Sequence, residues 1–359
     1  MTKNDFMAKL SSALSANQSE EKVAGLLADF DEHFNEAILA GQSEAEVCEM
    51  LGDPAEIATE YVEETEKADE PEKADEPVDN AGISIRLYNV SLSCEQYDGD
   101  EFEVEIRQNG KTIQDDSIQI EQTGNSLRIT QLRERDFISM LFRVFTFSEV
   151  VYVRIPKRFS GDMFVKMSSG NAGFDGLNLK GDFRCELISG NVSMEHVRSE
   201  TALSVSSRSG NVTVFSCDGD LSVECSSGNV NVKSHSGNVI RAAATSGTVR
   251  VGAGCIVKDC AVEVKSGSVH IDLDKLESNL KLDCYSGSIR FNIRELRGNI
   301  TGKTRSGSIN GALDRDTRAL FLLQSSAVHN KFPNALPPES GVPVVSLTAR
   351  SGMIRLNEL

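Results

Sequence analysis

The dipeptide Ser-Gly returns along this chain at 169–170, 189–190, 209–210, 227–228, 236–237, 246–247, 266–267, 286–287 and 306–307. Apart from the copy at Ser236, the step is 18 to 20 residues. A fixed period in this range belongs to stacked repeats, in which one unit cannot bury its apolar face alone and neighbours complete the core. Counting back from each Ser, positions −6, −4 and −2 are apolar, as in Met163/Val165/Met167, Phe183/Cys185/Leu187 and Leu280/Leu282/Cys284. Counting forward from each Gly, positions +2 and +4 are apolar, as in Val192/Met194, Val230/Val232 and Ile289/Phe291. Alternation with period two marks strands with one buried face.

Glycine supplies the positive φ of a tight corner, and Ser or Asn beside it can bond its own backbone. Glycine or amide residues also fall half a period later, at Gly181-Asp182, Gly219-Asp220, Ser278-Asn279 and Gly298-Asn299, and Ser236-Gly237 falls at this second corner. The pattern predicts a mainly β chain. Its fold is a β-solenoid, a flattened β-helix or β-roll with about 20 residues per coil, two strands and two corners in each. After the glycines stand Asn171, Asn191, Asn211 and Asn229, then Thr248, Ser268, Ser288 and Ser308. Stacked, they form a polar ladder that serves either a ligand or, as expected here, the corner backbone.

Residues 1–65 read differently. Phe6, Met7, Leu10 and Leu14 follow Asn4, a candidate cap; Val23, Leu26, Leu27, Phe30, Phe34 and Ile38 recur at helical steps. Ser43-Glu44-Ala45-Glu46 is a capping box, and Asp53-Pro54 supplies the cap and first proline of a last helix with Ile57, Ala58, Tyr61 and Val62. The order Phe30-Asp31-Glu32-His33-Phe34, Gly41-Gln42-Ser43-Glu44-Ala45-Glu46-Val47 and Leu51-Gly52-Asp53-Pro54 before Ile57-Ala58 resembles the HAAS domain. That resemblance implies a small bacterial all-α module of the kind found near regulators or ahead of membrane segments. His33, beside two helix-face phenylalanines, is expected to be structural.

Residues 66–80 form a linker in which Glu66–Pro71 is repeated at 72–77, charged and broken by proline. Residues 81–160 carry alternating runs such as Ile83/Ile85/Leu87 and Val151/Val153/Ile155 and are expected to form a β cap or irregular first coils, ahead of the Ser-Gly solenoid at 161–359. Val151-Tyr152-Val153-Arg154-Ile155-Pro156 and the Ser-Gly-Asn-Val strands that follow resemble a bacterial β-strand-repeat family of adhesin-like proteins. The resemblance implies a β-solenoid-like fold and no shared catalytic residues. Past Gly311 the rhythm breaks, and Ser351-Gly352 resumes it 45 residues after Ser306. One coil therefore carries an insertion, and a bare edge is expected at Leu359.

Charge is unevenly placed. Residues 1–80 hold 22 acidic and 5 basic residues, a net −17, which equals the net charge of the whole chain. The acidic head suits a protein partner, and neither half presents the basic face that nucleic acid requires. No basic-then-apolar leader opens the sequence and no run of 18 apolar residues occurs, so the expected location is cytoplasmic or peripheral at a membrane. An alternative is the cell surface, reached by a route without a signal peptide. No CxxC pair occurs, and the eight cysteines read as free thiols, with Cys185, Cys225, Cys260 and Cys284 on the inward register.

The most apolar segment, 137–147, supplies the candidate interaction residues Phe137, Met140, Leu141, Phe142, Phe145 and Phe147. They either enter a membrane interface or partner groove, or plug the solenoid end. Asp98-Gly99-Asp100-Glu101 reads as a turn rather than a calcium loop, and Asp272, Asp274 and Asp283 as surface charges. No hydrolase, phosphate-loop or dinucleotide motif is found, so no catalytic, metal or cofactor residue is assigned. The expected function is a non-enzymatic interaction scaffold in bacterial envelope-stress signalling. Alternatives are an adhesin-like or glycan-binding surface protein, and a self-assembling filament joined end to end.

Overall fold

The computed structural model describes residues 2–15, 20–39, 43–51, 53–55, 57–58, 82–132, 149–252, 255–333 and 341–359. Two compact units emerge: Met1–Asp79 with Gln108–Ser117 and Leu132–Glu149, and Asn80–Arg107 with Ile118–Gln131 and Val150–Leu359.

Among the described residues the first unit holds α1 (Lys3–Leu14), α2 (Glu20–Leu39) and α3 (Glu44–Leu51), and residues 54–55 and 57–58 are helical as well. Thr2, rather than the expected Asn4, caps α1: its hydroxyl accepts the Asp5 N–H, and Asp5 closes a capping box. Before α3, Ser43 and Glu46 exchange bonds as the sequence predicts, Ser43 N–H donating to Glu46 Oε2 at 2.8 Å. Phe6, Leu10, Leu14, Phe30, Phe34, Val47 and Leu51 are buried together, and Phe6 meets Phe34 edge to face at 5.4 Å. Ile38 is a correction: it lies on the expected apolar stripe but is exposed.

The second unit is mainly β and β-solenoid-like. Strands stack in parallel, one repeat apart: Val192 pairs with Val212, Val212 with Val230, Val230 with Val249 and Val249 with Val269. The strands before the corner stack likewise, Met163 on Phe183, Phe183 on Leu203 and Leu203 on Leu221. All of these residues are buried.

The Ser-Gly corner is the closest approach in the stack. Gly190, Gly210, Gly228, Gly247, Gly267, Gly287, Gly307 and Gly352 have φ between +122° and +147°. At each, a Cβ would overlap the carbonyl oxygen of the glycine in the coil below. Gly352 lies on Gly307, so the rhythm does resume in register after the insertion.

Each early coil has a third corner that the sequence reading lacks. Gly176, His196, Ser216 and Ser234 adopt φ between 51° and 64°, and a short segment follows before the corner expected near Gly181 and Gly219. This segment adds an inward column of Leu177, Val197, Cys217, His235 and Cys255, all at most 1% exposed. Only one of the four turn residues is glycine, so the corner has no compositional signature.

Both ends of the stack are intercalated. Gly82–Leu87 lies between Ser126–Gln131 and Asp162–Met167, and Ser91–Tyr97 between Glu149–Pro156 and Ala172–Asp175. At the other end, Val344–Ser351 is inserted between Asn299–Ser306 and Leu320–Gln324, and Met353–Glu358 between Ile309–Leu313 and Ala327–Asn330. The expectation of a bare edge at Leu359 is therefore corrected: the last strands are interior, and residues 320–330 form the coil beyond them. Phe332 stacks on Phe321 there at 5.4 Å.

Gly287→Ala should lower stability by about 3 kcal/mol or more, combining forced positive φ and overpacking, each about 1–3 kcal/mol. Gly124→Ala, at φ +59° with open space around it, should lose only about 1–2 kcal/mol. Thermal melting checks this, and equal shifts would sink the stacked-glycine account.

Candidate functional site

The corner amides form a continuous ladder. Asn191 donates its backbone N–H and its Nδ2 to Asn171 Oδ1 at 3.0 and 3.1 Å. Asn211 does the same to Asn191, and Asn229 to Asn211. The Thr248 N–H ends the series on Asn229 Oδ1 at 3.1 Å. Each amide oxygen thus satisfies a corner N–H one coil above, so these side chains serve the backbone. A second ladder, which the sequence reading missed, runs along the corner half a period later. There the Asp182 N–H donates to Asp162, Asn238 to Asp220, Asn279 to Asp259 and Val344 to Asn299.

All eight cysteines are free and buried. Burial pushes the Cys185 and Cys260 thiols up to about 12, which keeps them protonated and unreactive. Between Cys217 and Cys255 in the third column, His235 is fully buried. Its Nε2 lies 2.9 Å from the Gly219 carbonyl oxygen, and its Nδ1 has no hydrogen-bond partner. Desolvation lowers its pKa. The consistent state is a neutral ring with Nε2–H donating to Gly219.

The carboxylates noted in the sequence separate in space. Arg294 pairs with Asp274 at 2.6 Å and with Asp272 at 3.4 Å, whereas Asp283, past the Ser278-Asn279 corner, pairs with Lys281 at 3.2 Å. Asp98 pairs with Lys157 at 2.7 Å. Among the described residues no group of three or more His, Cys, Asp or Glu is arranged to hold a metal ion. Glu186, Glu224 and Glu263 share a coil position, alternating with Ser206 and Ala243 on one outer face. They line a shallow groove of about 600 Å³ with Lys166, Arg208 and Lys265, and Arg184 neutralises Glu186 at 2.5 Å.

The other outer face carries a row that the reading also missed. From Ser227-Gly228 onward, the third residue after each Ser-Gly of this corner is Asn231, Arg250, His270, Arg290, Asn310 and, after the insertion, Arg355. Asn231 pairs with Arg250, Arg250 with His270, Arg290 with Asn310, and Asn310 with Arg355. Burial, then Arg250 and Arg290, hold the His270 imidazole below its ordinary pKa. The spacing rule that located the core would have found this row.

Phe137, Met140, Leu141, Phe142, Phe145 and Phe147 lie outside the described residues, as does linker 66–80. The side chain of His33 is likewise not described. No helix among the described residues is long and apolar enough to cross a membrane.

Parallel strands stepped by one repeat, closed by a glycine column and preceded by a helical unit, define a β-solenoid-like repeat protein with an α-helical head. The profile of the Toastrack DUF4097 family matches residues 80–318, and that of the HAAS family matches residues 5–60. The chain belongs to the Toastrack DUF4097 family and carries an N-terminal HAAS domain. No curated protein matches it. Among solved structures, a "putative cell adhesion protein" from Clostridium sporogenes ATCC 15579 aligns over 80% of this chain and 97% of its own. Its identity is 10% and its TM-score 0.18, too loose a superposition to support any inference.

His235 makes stability pH-dependent. Its folded pKa is depressed relative to about 6.5 in the unfolded chain, so the unfolded state takes up protons first. Its contribution is complete above that value and declines as pH falls below it; His270 acts in the same direction. Between pH 7 and 5 the melting temperature should drop, and the drop should shrink in His235→Gln. An unchanged slope in the variant would remove His235 as the cause.

Proposed function

We propose that this protein is a non-catalytic interaction scaffold: a rigid, flattened β-solenoid of about 20-residue coils that presents its outer faces, with the acidic HAAS head engaging a protein partner in envelope-stress signalling. The domain limits read from the sequence, 1–65, 66–80, 81–160 and 161–359, divide these tasks. The observation that carries the reading is the register. Strand faces stepped by one coil from Asp162 to Glu358 leave continuous outer surfaces, while corner amides are consumed by the ladders. The carboxylates noted in the sequence, Asp272, Asp274 and Asp283, are held in ion pairs, which suits surface stabilisation rather than acid–base work.

Cross-linking in native cells, before and during cell-wall stress, tests this. The full chain should capture a recurrent protein partner through residues 1–65, and a form with Glu44 and Glu46 changed to Lys should lose it. Reducing-end assays on wall glycans should show no turnover. Turnover abolished by Glu224→Gln would overturn the scaffold reading.

A further inference from the structure

The row at 250, 270, 290, 310 and 355 places an arginine on every second strand of one sheet face, with His270 and Asn310 between. Here Arg250, Arg290 and Arg355 are exposed, and among the described residues none of them has a carboxylate partner. Some arginines elsewhere on the unit are paired, Arg154 with Glu95 and Glu103, Arg184 with Glu186, and Arg294 with Asp272 and Asp274, whereas Arg208, Arg241 and Arg350 are exposed with no carboxylate partner among the described residues. What sets the row apart is its regular placement on one sheet face.

Its spacing narrows the ligand. Arg250 and Arg290 stand two strands apart with His270 between them, and Arg290 and Arg355 two strands apart with Asn310 between them. Two strand spacings are about 10 Å. Between the guanidiniums, His270 and Asn310 are half-buried hydrogen-bonding groups. Along one flank run the hydroxyls of Thr248, Ser268, Ser288 and Ser308. Nucleic acid carries a charge at about 3.4 Å along each strand, far denser than this row. A polymer with one acidic group per disaccharide, and hydroxyls between, matches both the sparse cations and the neutral donors and acceptors.

We propose that this face binds a linear, carboxylate-bearing polysaccharide lying along the stack, with Arg250, Arg290 and Arg355 pairing with successive carboxylates and His270 and Asn310 bonding hydroxyls. Guanidinium and carboxylate match bidentately, which fixes the register of the chain on the face. The inference rests on the scaffold reading of the β unit and adds the chemistry of one of its partners.

Titration calorimetry of the full chain with hyaluronate oligosaccharides, which carry one carboxylate per disaccharide, tests it at low salt. Dextran, polyphosphate and single-stranded DNA are the comparison ligands. Hyaluronate should bind, weaken as salt screens the pairs, and exceed all three comparisons. Each of Arg250→Ser, Arg290→Ser and Arg355→Ser should weaken binding about threefold, as expected for exposed ion pairs, and the triple change by tenfold or more. Arg184→Ser, on the other outer face, should bind like wild type, and melting of the triple variant should show it folded. Absence of hyaluronate binding, equal affinity in a folded triple variant, or equal affinity for polyphosphate, DNA or dextran would each overturn the inference. With the cross-linked protein partner retained, such a result leaves the scaffold reading standing; glycan turnover would instead remove that reading.

Discussion

The structure depends on the contact at the Ser-Gly corner, where the carbonyl of one glycine occupies the space that a side chain on the next would need. That approach sets the distance between coils, and the strands on either side inherit it. Parallel pairing of Val230 with Val249, or Cys185 with Val205, follows because corners stacked at backbone contact force equal positions into register. A one-residue slip would turn every inward Val or Leu toward solvent. The glycine column and the hydrophobic stripe therefore specify the same register, one through sterics and the other through burial.

The two polar ladders complete this arrangement at the corners. A strand satisfies its N–H groups against its neighbours, but a corner leaves one facing the coil below. Asn191 and Asn211 fill that position with a side-chain oxygen, and Asp220 and Asp259 do so at the other corner. Chain order then differs from spatial order at both ends. Because 82–97 and 344–358 are covered on both sides, neither terminal strand pair is left as a free edge. Completing each end requires pairings far apart in sequence, which places those steps among the slower contacts to form.

Much of this was legible in the residues. The inward register of Val192, Phe183 and Ile289 follows from period-two alternation, and the corners from Ser-Gly, because steric and hydrophobic requirements there restrict residue type. The third corner was hidden because His196, Ser216 and Ser234 reach positive φ without glycine, held by neighbours that local sequence does not name. Intercalation at the ends was hidden for a related reason: alternation tells which face a strand buries, not which strand lies beside it. Ile38 continues a helical stripe, but periodicity does not say where the packing partner stops. The basic row was present at a fixed offset from each glycine, yet its last member, Arg355, becomes adjacent only once Gly352 is known to lie on Gly307.

The outer face after the corner also changes character along the stack. In the early coils, Asn171, Asn191, Asn211 and Asn229 sit next to Gly173, Ser193, Thr213 and Asn231, all neutral. From Thr248 onward the amides give way to hydroxyls, and the adjacent row becomes Arg250, His270, Arg290 and Asn310. Both halves bury the same Val and Ile stripe and share the glycine column, so core stability does not demand the switch. An amide ladder locks its own corner, since the oxygens of Asn171, Asn191 and Asn211 each accept two hydrogen bonds. Where the amides end, a hydroxyl can take the same place: Ser308 Oγ accepts the Met353 N–H at 3.3 Å. The guanidiniums of Arg250, Arg290 and Arg355 stand on the part of this face where the amide ladder has given way to hydroxyls, so one fold carries two polar patterns over the same core.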